Sequence, residues 1–299
     1  MNMAKAKIER SILSQLIPGI TSLARKGLAG WLVLFGAILT AAIIVMTLIS
    51  PWISPYNPSA LRVGQPLLPP NSQFLFGTDD LGRDMFSRVL SGGGIMLQVS
   101  IVSVLVCLII GVPLGLFSSY TGGAVDKFVN LIMDSVYAFP GLILAIALAI
   151  FLGRGVINMA LSIAVIYVPS YFRVIRSQVL SIKELPYIEA ANAAGARRRT
   201  VLRRYILPNV LPSIVVVATV NFADAILTAA GLTFIGLGVN VAIPDWGWDL
   251  TNGRSLLVSG DWWVIAFPGL MIILLALGFT LMGEGLSELL NPKLEKTGE

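Results

Sequence analysis

The chain has 299 residues, of which 56% are hydrophobic and 12% are charged, with a net charge of +5 and no histidine. Its mean hydropathy is +0.84. Soluble domains carry about 25% charged residues, because charged side chains cover their surfaces. The composition therefore excludes a soluble globular enzyme, a disordered chain and a disulfide scaffold. It predicts an all-α protein that crosses the membrane several times, since lipid offers no partner for unpaired backbone groups.

The chain contains six apolar stretches of about the length that crosses a bilayer, roughly 20 residues. They are Leu28–Ser50, Ile95–Tyr120, Phe128–Leu152, Val156–Phe172, Ser213–Gly238 and Trp262–Gly283. The predicted organisation is a tail (1–27), a first span (28–50), an external segment (51–94), a five-span core (95–286) with a cytoplasmic loop (177–212) and an external loop (239–261), and a second tail (287–299). The first tail is either an amphipathic helix on the inner membrane surface or a frayed end.

The basic residues predict the orientation of these spans. Sixteen of the 21 Lys and Arg residues lie on the face that carries both termini, and five lie on the opposite face. Basic residues concentrate in cytoplasmic loops. We therefore expect a cell-membrane protein with both termini in the cytoplasm.

The first external segment begins with a proline-rich stretch and ends in a predicted short helix. Thr78 is a suitable N-cap, and Asp79 would then lie at the positive end of the helix. Asp84 and Arg88 have the spacing of an ion pair within a helix. We expect this helix to lie on the outer surface, where it leads into the second span.

The second external loop contains Trp246 and Trp248. Tryptophan is enriched at membrane interfaces, so these residues either anchor the loop in the interface or form a docking surface for an external partner. Both interpretations remain open from the sequence.

Acidic residues inside the predicted spans are candidates for a solute pathway, because burying a carboxylate in lipid costs at least about 2.5–3.5 kcal/mol. Asp224 lies near the middle of the fifth span, and Asn221 and Thr228 fall on the same helical face. These three residues either line a pathway or form hydrogen bonds between helices. Asp134 lies nearer the cytoplasmic end of the third span and is a weaker candidate.

The cytoplasmic loop has the pattern of two helices. Pro186 suits a first helical turn, and Gly195 is a natural stop for the helix that contains Glu189. A second, arginine-rich helix would run from Ala196 to about Tyr205, and Pro208 and Pro212 would end it. Adhesion to anionic lipid headgroups would explain its charge without any protein partner.

The spacing within this loop is more specific than its charge. Glu189-Ala190-Ala191 is followed after three residues by Gly195 and twelve residues later by Leu207-Pro208. This pattern resembles the EAA coupling motif of ABC importer permeases. Further matching runs are Phe76 to Asp84, Ala138-Phe139-Pro140, Phe234 to Gly238 with Pro244 and Trp246-Gly247, and Gly283-Glu284-Gly285-Leu286 with Asn291-Pro292. Together they resemble the second permease of the dipeptide, oligopeptide and nickel importers over residues 28–293.

The resemblance implies a subunit that forms half of a translocation pathway. It implies a homologous permease partner, one or two cytoplasmic ATPase subunits and an extracytoplasmic solute-binding protein. It also implies that Glu189, Ala190, Ala191, Gly195, Leu207 and Pro208 couple the ATPase to the membrane. ATP and magnesium would be used by the partner subunits, with no cofactor in this chain. Nucleic acid is not an expected partner.

The remaining alternatives concern the solute and the energy source. Relatives of this type import peptides, nickel or oligosaccharides, and we expect a di- or oligopeptide. A G-x-x-x-x-G-K-[ST] phosphate loop is absent from the sequence, so ATP hydrolysis is expected elsewhere. With one cysteine and no histidine, a soft metal site is not expected either. A stand-alone ion-coupled carrier is the rival class, but such carriers usually contain internal repeats that this chain lacks.

Overall fold

The computed structural model describes residues 23, 26–239 and 243–290. All the regular elements in these residues are helices, and the one β-bridge joins Thr78 to Asp84. The prediction of an all-α membrane protein is therefore confirmed. Most of the first predicted tail and of the second lie outside the described residues, so the amphipathic-helix prediction for 1–27 stays a prediction.

The helices follow the predicted order of spans. They are α1 (Gly27–Ile53), α2 (Met85–Ser91), α3 (Gly93–Thr121), α4 (Gly123–Tyr137), α5 (Gly141–Leu152), α6 (Val156–Ile182), α7 (Pro186–Ala193), α8 (Arg198–Val201), α9 (Leu207–Leu232), α10 (Trp246–Leu256) and α11 (Trp263–Leu290). Two π turns, Leu202–Ile206 and Thr233–Leu237, flank α9. Five helices are long and apolar enough to cross a membrane, and the pair α4–α5 makes up to six spans in the described residues.

The third predicted span is broken, which the sequence interpretation did not anticipate. Helices α4 and α5 meet at an angle of 89°, and Pro140 is the N-cap of α5. Proline lacks an N–H group, and its ring clashes with the carbonyl group four residues earlier in a continuous helix. By contrast, Pro113, Pro169 and Pro268 lie inside unbroken helices.

Two boundaries of the loop that was predicted to be cytoplasmic also differ from the prediction. Helix α6 continues to Ile182, ten residues beyond the predicted end of its span at Phe172. The arginine-rich helix does not end at Pro208, because the π turn carries it directly into α9. Pro208 lies in the first turn of α9, where proline is tolerated because its missing N–H group would have no partner there.

Small residues allow the central helices to pack closely. A Cβ atom at Gly111 would lie 2.7 Å from the Cβ of Tyr171, and one at Gly115 would lie 2.8 Å from the Cβ of Ile175. Helices α3 and α6 therefore approach to a distance that side chains would prevent. The core between α3, α6 and α9 also encloses Cys107, which is 1% exposed.

The external segment folds differently from the prediction. Thr78 does not cap a helix, since α2 begins at Met85 with Asp84 as its N-cap. The carboxylate of Asp84 accepts hydrogen bonds from the N–H group of Ser87 at 2.9 Å and from its hydroxyl at 2.6 Å. This use of Asp84 leaves Arg88 to pair elsewhere, so the predicted Asp84–Arg88 ion pair is wrong.

Candidate translocation cavity and coupling segment

A cavity of about 610 Å³ lies beside the break in the third span. It is bordered by the ends of α4 and α5 that meet at the break, together with α6 and α9. The residues that line it are Val136, Tyr137, Phe139, Gly141, Leu142, Ile166, Tyr167, Ser170, Asn221, Asp224, Leu227, Thr228 and Gly231. Broken helices in transporters commonly mark solute sites near the middle of the membrane.

The polar stripe predicted on the fifth span faces this cavity. Asn221, Asp224 and Thr228 all belong to its lining, and Asp224 is its one charged member among the described residues. The hydroxyl of Tyr167 lies 2.9 Å from Thr228 Oγ1 and donates to the main-chain oxygen of Asp224 at 3.4 Å. Sequence reasoning missed Tyr167. Its hydroxyl group, three residues before Ser170 within an apolar span, was a sign in the sequence that could have identified it as a candidate.

Asp134 is not among the residues that line this cavity, and its pathway role stays a prediction. Its carboxylate accepts from Arg173 Nη2 at 3.1 Å and from Asn130 Nδ2 at 2.6 Å. The ion pair lies between α4 and α6 and is about half exposed. A second pair joins the same helices, with both oxygens of Asp126 bound by Arg176 at 2.9 and 2.6 Å.

The outer loop buries one of its two predicted docking tryptophans. Trp246 is fully buried, and its Nε1 donates to the main-chain oxygen of Val89 at 2.8 Å. In this conformation it therefore has no surface to offer a partner. Trp248 is half-buried, and its docking role stays a prediction.

A buried ion pair ties the outer loop to the external segment. Arg88 donates from Nε and Nη2 to Asp249 Oδ1 at 2.9 and 2.6 Å and from Nη1 to the carbonyl oxygen of Pro58 at 3.0 Å. Both side chains are almost fully buried, whereas Asp249 Oδ2 is buried without a partner in the described residues. Burial raises the pKa of nearby Asp245 to about 7, and the Asp249 charge adds to this. The ion pair between Arg88 and Asp249 fixes α10 against α2.

The predicted coupling residues lie in the exposed helix α7, in the turn that follows it, and at the start of α9. Glu189 lies in the first turn of α7, and Glu189, Ala190 and Gly195 are exposed while Ala191, Leu207 and Pro208 are half-buried. Gly195 has φ +75°. The N–H group of Ala196 donates to the carbonyl oxygen of Ala191 at 3.0 Å, which is a Schellman cap with glycine in its left-handed position.

Helix α7 packs on its buried side against the end of α6 and the segment that leads into α9. Ile188 is fully buried and belongs to one apolar cluster with Val201 and Ile206 at the base of α9 and Val179 and Ile182 at the end of α6. Both α6 and α9 also line the cavity. A force applied to α7 would therefore act on two of the cavity's walls.

The fold and these two sites define a transporter permease. Residues 111–296 match the family of binding-protein-dependent transport system inner membrane components, and the chain belongs to this family. It is thus a multi-pass permease subunit of an ABC importer. The family works with another permease, an ATPase and a binding protein, so ATP hydrolysis resides in a separate subunit.

Several curated proteins are similar along most of their length. The chain is 40% identical to the probable D,D-dipeptide transport system permease protein DdpC of Escherichia coli strain K12, with 86% of each chain covered. It is 38% identical to the dipeptide transport system permease protein DppC of Alkalihalophilus pseudofirmus, with 88% and 86% covered. It is 42% identical to the glutathione transport system permease protein GsiD of Pectobacterium atrosepticum, with 76% and 75% covered.

A solved structure shares the fold. Inward-facing conformations of the MetNI methionine ABC transporter superpose with a TM-score of 0.56 at 20% identity, covering 69% of this chain and 98% of that one. At this level of identity the likeness supports the architecture of the permease core.

Proposed function

We propose that this permease forms half of the pathway by which an ABC importer carries short peptides into the cytoplasm. The observation that carries the proposal is the cavity of about 610 Å³ in which Asp224 is the one charged lining residue. Ligand sites commonly occupy about 300–1,000 Å³. The relatives whose names state a dipeptide or glutathione solute support the same class of cargo.

The chemistry of the cavity suits a peptide amino terminus. Asp224 presents a carboxylate, and Asn221 and Thr228 add polar side chains on the same helical face. A peptide ammonium group supplies both a positive charge and hydrogen-bond donors, and charge-assisted hydrogen bonds are the stronger kind. Nickel is a weaker candidate, since the described residues hold no group of three potential ligands that could bind a metal ion.

Asp224 provides the direct test of this proposal. Asp224→Asn preserves the shape of the side chain but removes its charge, and it should lower ATP-driven uptake of tritiated trialanine by about tenfold or more, since hydrogen bonds to charged groups contribute about 1.5–3 kcal/mol. Assembly of the complex should be unchanged. The matched control is Asp261→Asn at the outer loop, outside the cavity lining. Normal uptake by both Asp224→Asn and Asp224→Leu would contradict the role assigned to this carboxylate.

We further propose that both termini are cytoplasmic, on the basis of the 16 to 5 distribution of basic residues. A cysteine at the exposed Asn71 should react with an impermeant thiol reagent in intact cells. A cysteine at the exposed Glu184 should react only after the membrane is opened. Cys107 is buried and should contribute little background. The reverse labelling pattern would contradict the orientation.

In this orientation α7 faces the cytoplasm, where it would bind the ATPase. The exposed Glu189 and Ala190 would contact a cleft on that subunit, with the left-handed Gly195 ending the helix. Nucleotide and magnesium would bind the ATPase, as the sequence predicted. The shared apolar cluster behind Ile188 supports transmission of the ATPase motion to α6 and α9.

A further inference from the structure

A positive charge lies just beyond the cavity lining on α6. Ser170 lines the cavity, and Arg173 follows three residues later on the same helical face. The guanidinium carbon of Arg173 lies 4.2 Å from the ring centre of Tyr137, which is itself a lining residue. Arg173 therefore lies against a residue of the cavity lining.

The hydrogen-bonding capacity of Arg173 is largely unused. An arginine side chain has five N–H donors, and the described residues engage one of them, in the 3.1 Å contact to Asp134. Its side chain is 53% exposed. Arg176 differs, because two of its donors bind both oxygens of Asp126. Arg173 is thus held by its position over Tyr137 and by one hydrogen bond, with donors left for an anion.

Arg173 and Asp224 give the cavity region two charges of opposite sign. Tyr167, which contacts the main chain of Asp224, lies six residues before Arg173 on α6. Six residues of α-helix rise about 9 Å. An extended chain spans about 3.3–3.6 Å per residue, so two or three residues of peptide cover a similar distance.

We propose that Arg173 binds the C-terminal carboxylate of a short zwitterionic peptide whose ammonium group lies at Asp224. This inference rests on the proposed function and adds the second charge that would define the substrate. The planar guanidinium can bind a carboxylate with two parallel hydrogen bonds, and the ring of Tyr137 beneath it holds that plane in place.

Asp134 competes with the substrate carboxylate for binding to Arg173. It accepts a hydrogen bond from Asn130, so it keeps a partner when Arg173 turns to a substrate. Binding then exchanges one ion pair for another. Because the pair with Asp134 is half-exposed, losing it offsets only part of the gain from the new contact, and the peptide can still leave when Asp134 takes Arg173 back.

Equilibrium binding to the purified transporter complex in nanodiscs, without the binding protein, tests this proposal. The probes are tritiated trialanine and tritiated trialanine C-terminal amide, which lacks the carboxylate. The wild type should bind trialanine about tenfold more tightly than the amide, as expected for one charge-assisted contact. Arg173→Gln should abolish this preference, whereas the matched control Arg176→Gln, one turn further along α6, should retain it.

A second variant keeps the test decisive if Arg173→Gln fails to fold. Asp134→Asn removes the competing carboxylate, so it should tighten binding of trialanine and leave the amide unchanged. The proposal is overturned if the wild type shows no preference, if Arg173→Gln keeps it, or if Asp134→Asn affects both probes equally. ATP-driven uptake of trialanine by the wild type would in each case leave the proposed function standing. Failure of that uptake would overturn both.

Discussion

Replacing Asp249 by leucine is expected to destabilise the permease by about 3–5 kcal/mol, the usual cost of leaving a buried charge without its partner. Arg88 is fully buried and gives two of its hydrogen bonds to Asp249. Without that carboxylate the guanidinium loses the one side-chain acceptor that it bonds in the described residues. The measurement is the free energy of unfolding of the purified complex, followed by chemical denaturation.

Two controls separate charge from packing in this experiment. Arg88→Met combined with Asp249→Leu removes both charges and should recover most of the lost stability, because apolar residues of similar volume often replace buried ion pairs without penalty. Asp134→Asn breaks the half-exposed pair with Arg173 and should cost less than about 1 kcal/mol. A double variant no more stable than Asp249→Leu would contradict the assignment of the effect to an unpaired charge.

Replacing Glu189 by lysine is expected to lower solute-stimulated ATP hydrolysis by about tenfold or more, because it reverses the sign of an exposed charge that we propose contacts a basic group on the ATPase. The membrane core should stay folded, since Glu189 makes no contact with the cavity. The control is Glu184→Lys, which makes the same change at an exposed residue just before α7.

Substitutions at Gly195 test the coupling role of the same segment by changing its backbone conformation. Gly195→Val should weaken association with the ATPase, because a β-branched residue resists the φ of +75° found there. Gly195→Asn should largely keep association, since asparagine tolerates the left-handed region. Wild-type association and stimulation in both Glu189→Lys and Gly195→Val would show that α7 has no coupling role.

The positions of the spans could be predicted because lipid imposes a strong local rule on sequence. Long uncharged stretches such as Leu28–Ser50 and Ile95–Tyr120 have no other stable environment, and α1 and α3 lie there. The coupling helix could be predicted for the same reason, because the signals that bound it are local in the sequence. Pro186 and Gly195 mark its two ends in the sequence, and α7 with its glycine cap occupies that interval.

The features that could not be predicted depend on contacts between distant segments. Four of the predicted spans contain proline, but the break occurs only at Pro140, whereas Pro268, which is also followed by glycine, lies inside an unbroken helix. Arg88 has a suitable partner four residues away in Asp84 but pairs with Asp249 across 161 positions of the chain. Local spacing predicts such pairs only where both side chains remain free.

The residues of the candidate cavity also divide into those that the sequence predicted and those that it did not. Asp224, Asn221 and Thr228 share one helical face, so their common exposure to the cavity followed from helical periodicity. Tyr167 joins the site from another helix through its contact with Thr228, and Arg173 lies beyond the lining, over the ring of Tyr137. Their inclusion depends on how α4, α6 and α9 pack, which a single sequence does not encode in any local pattern.

The central claim is that this chain carries peptides under the control of a separate ATPase. The most direct measurement is uptake of tritiated trialanine into proteoliposomes that contain this permease, its partner permease and the ATPase, with binding protein added outside. We predict accumulation above the external concentration that requires ATP and is lost when this chain is omitted. Failure to accumulate the peptide in the complete system, or equal accumulation without ATP, would contradict the claim.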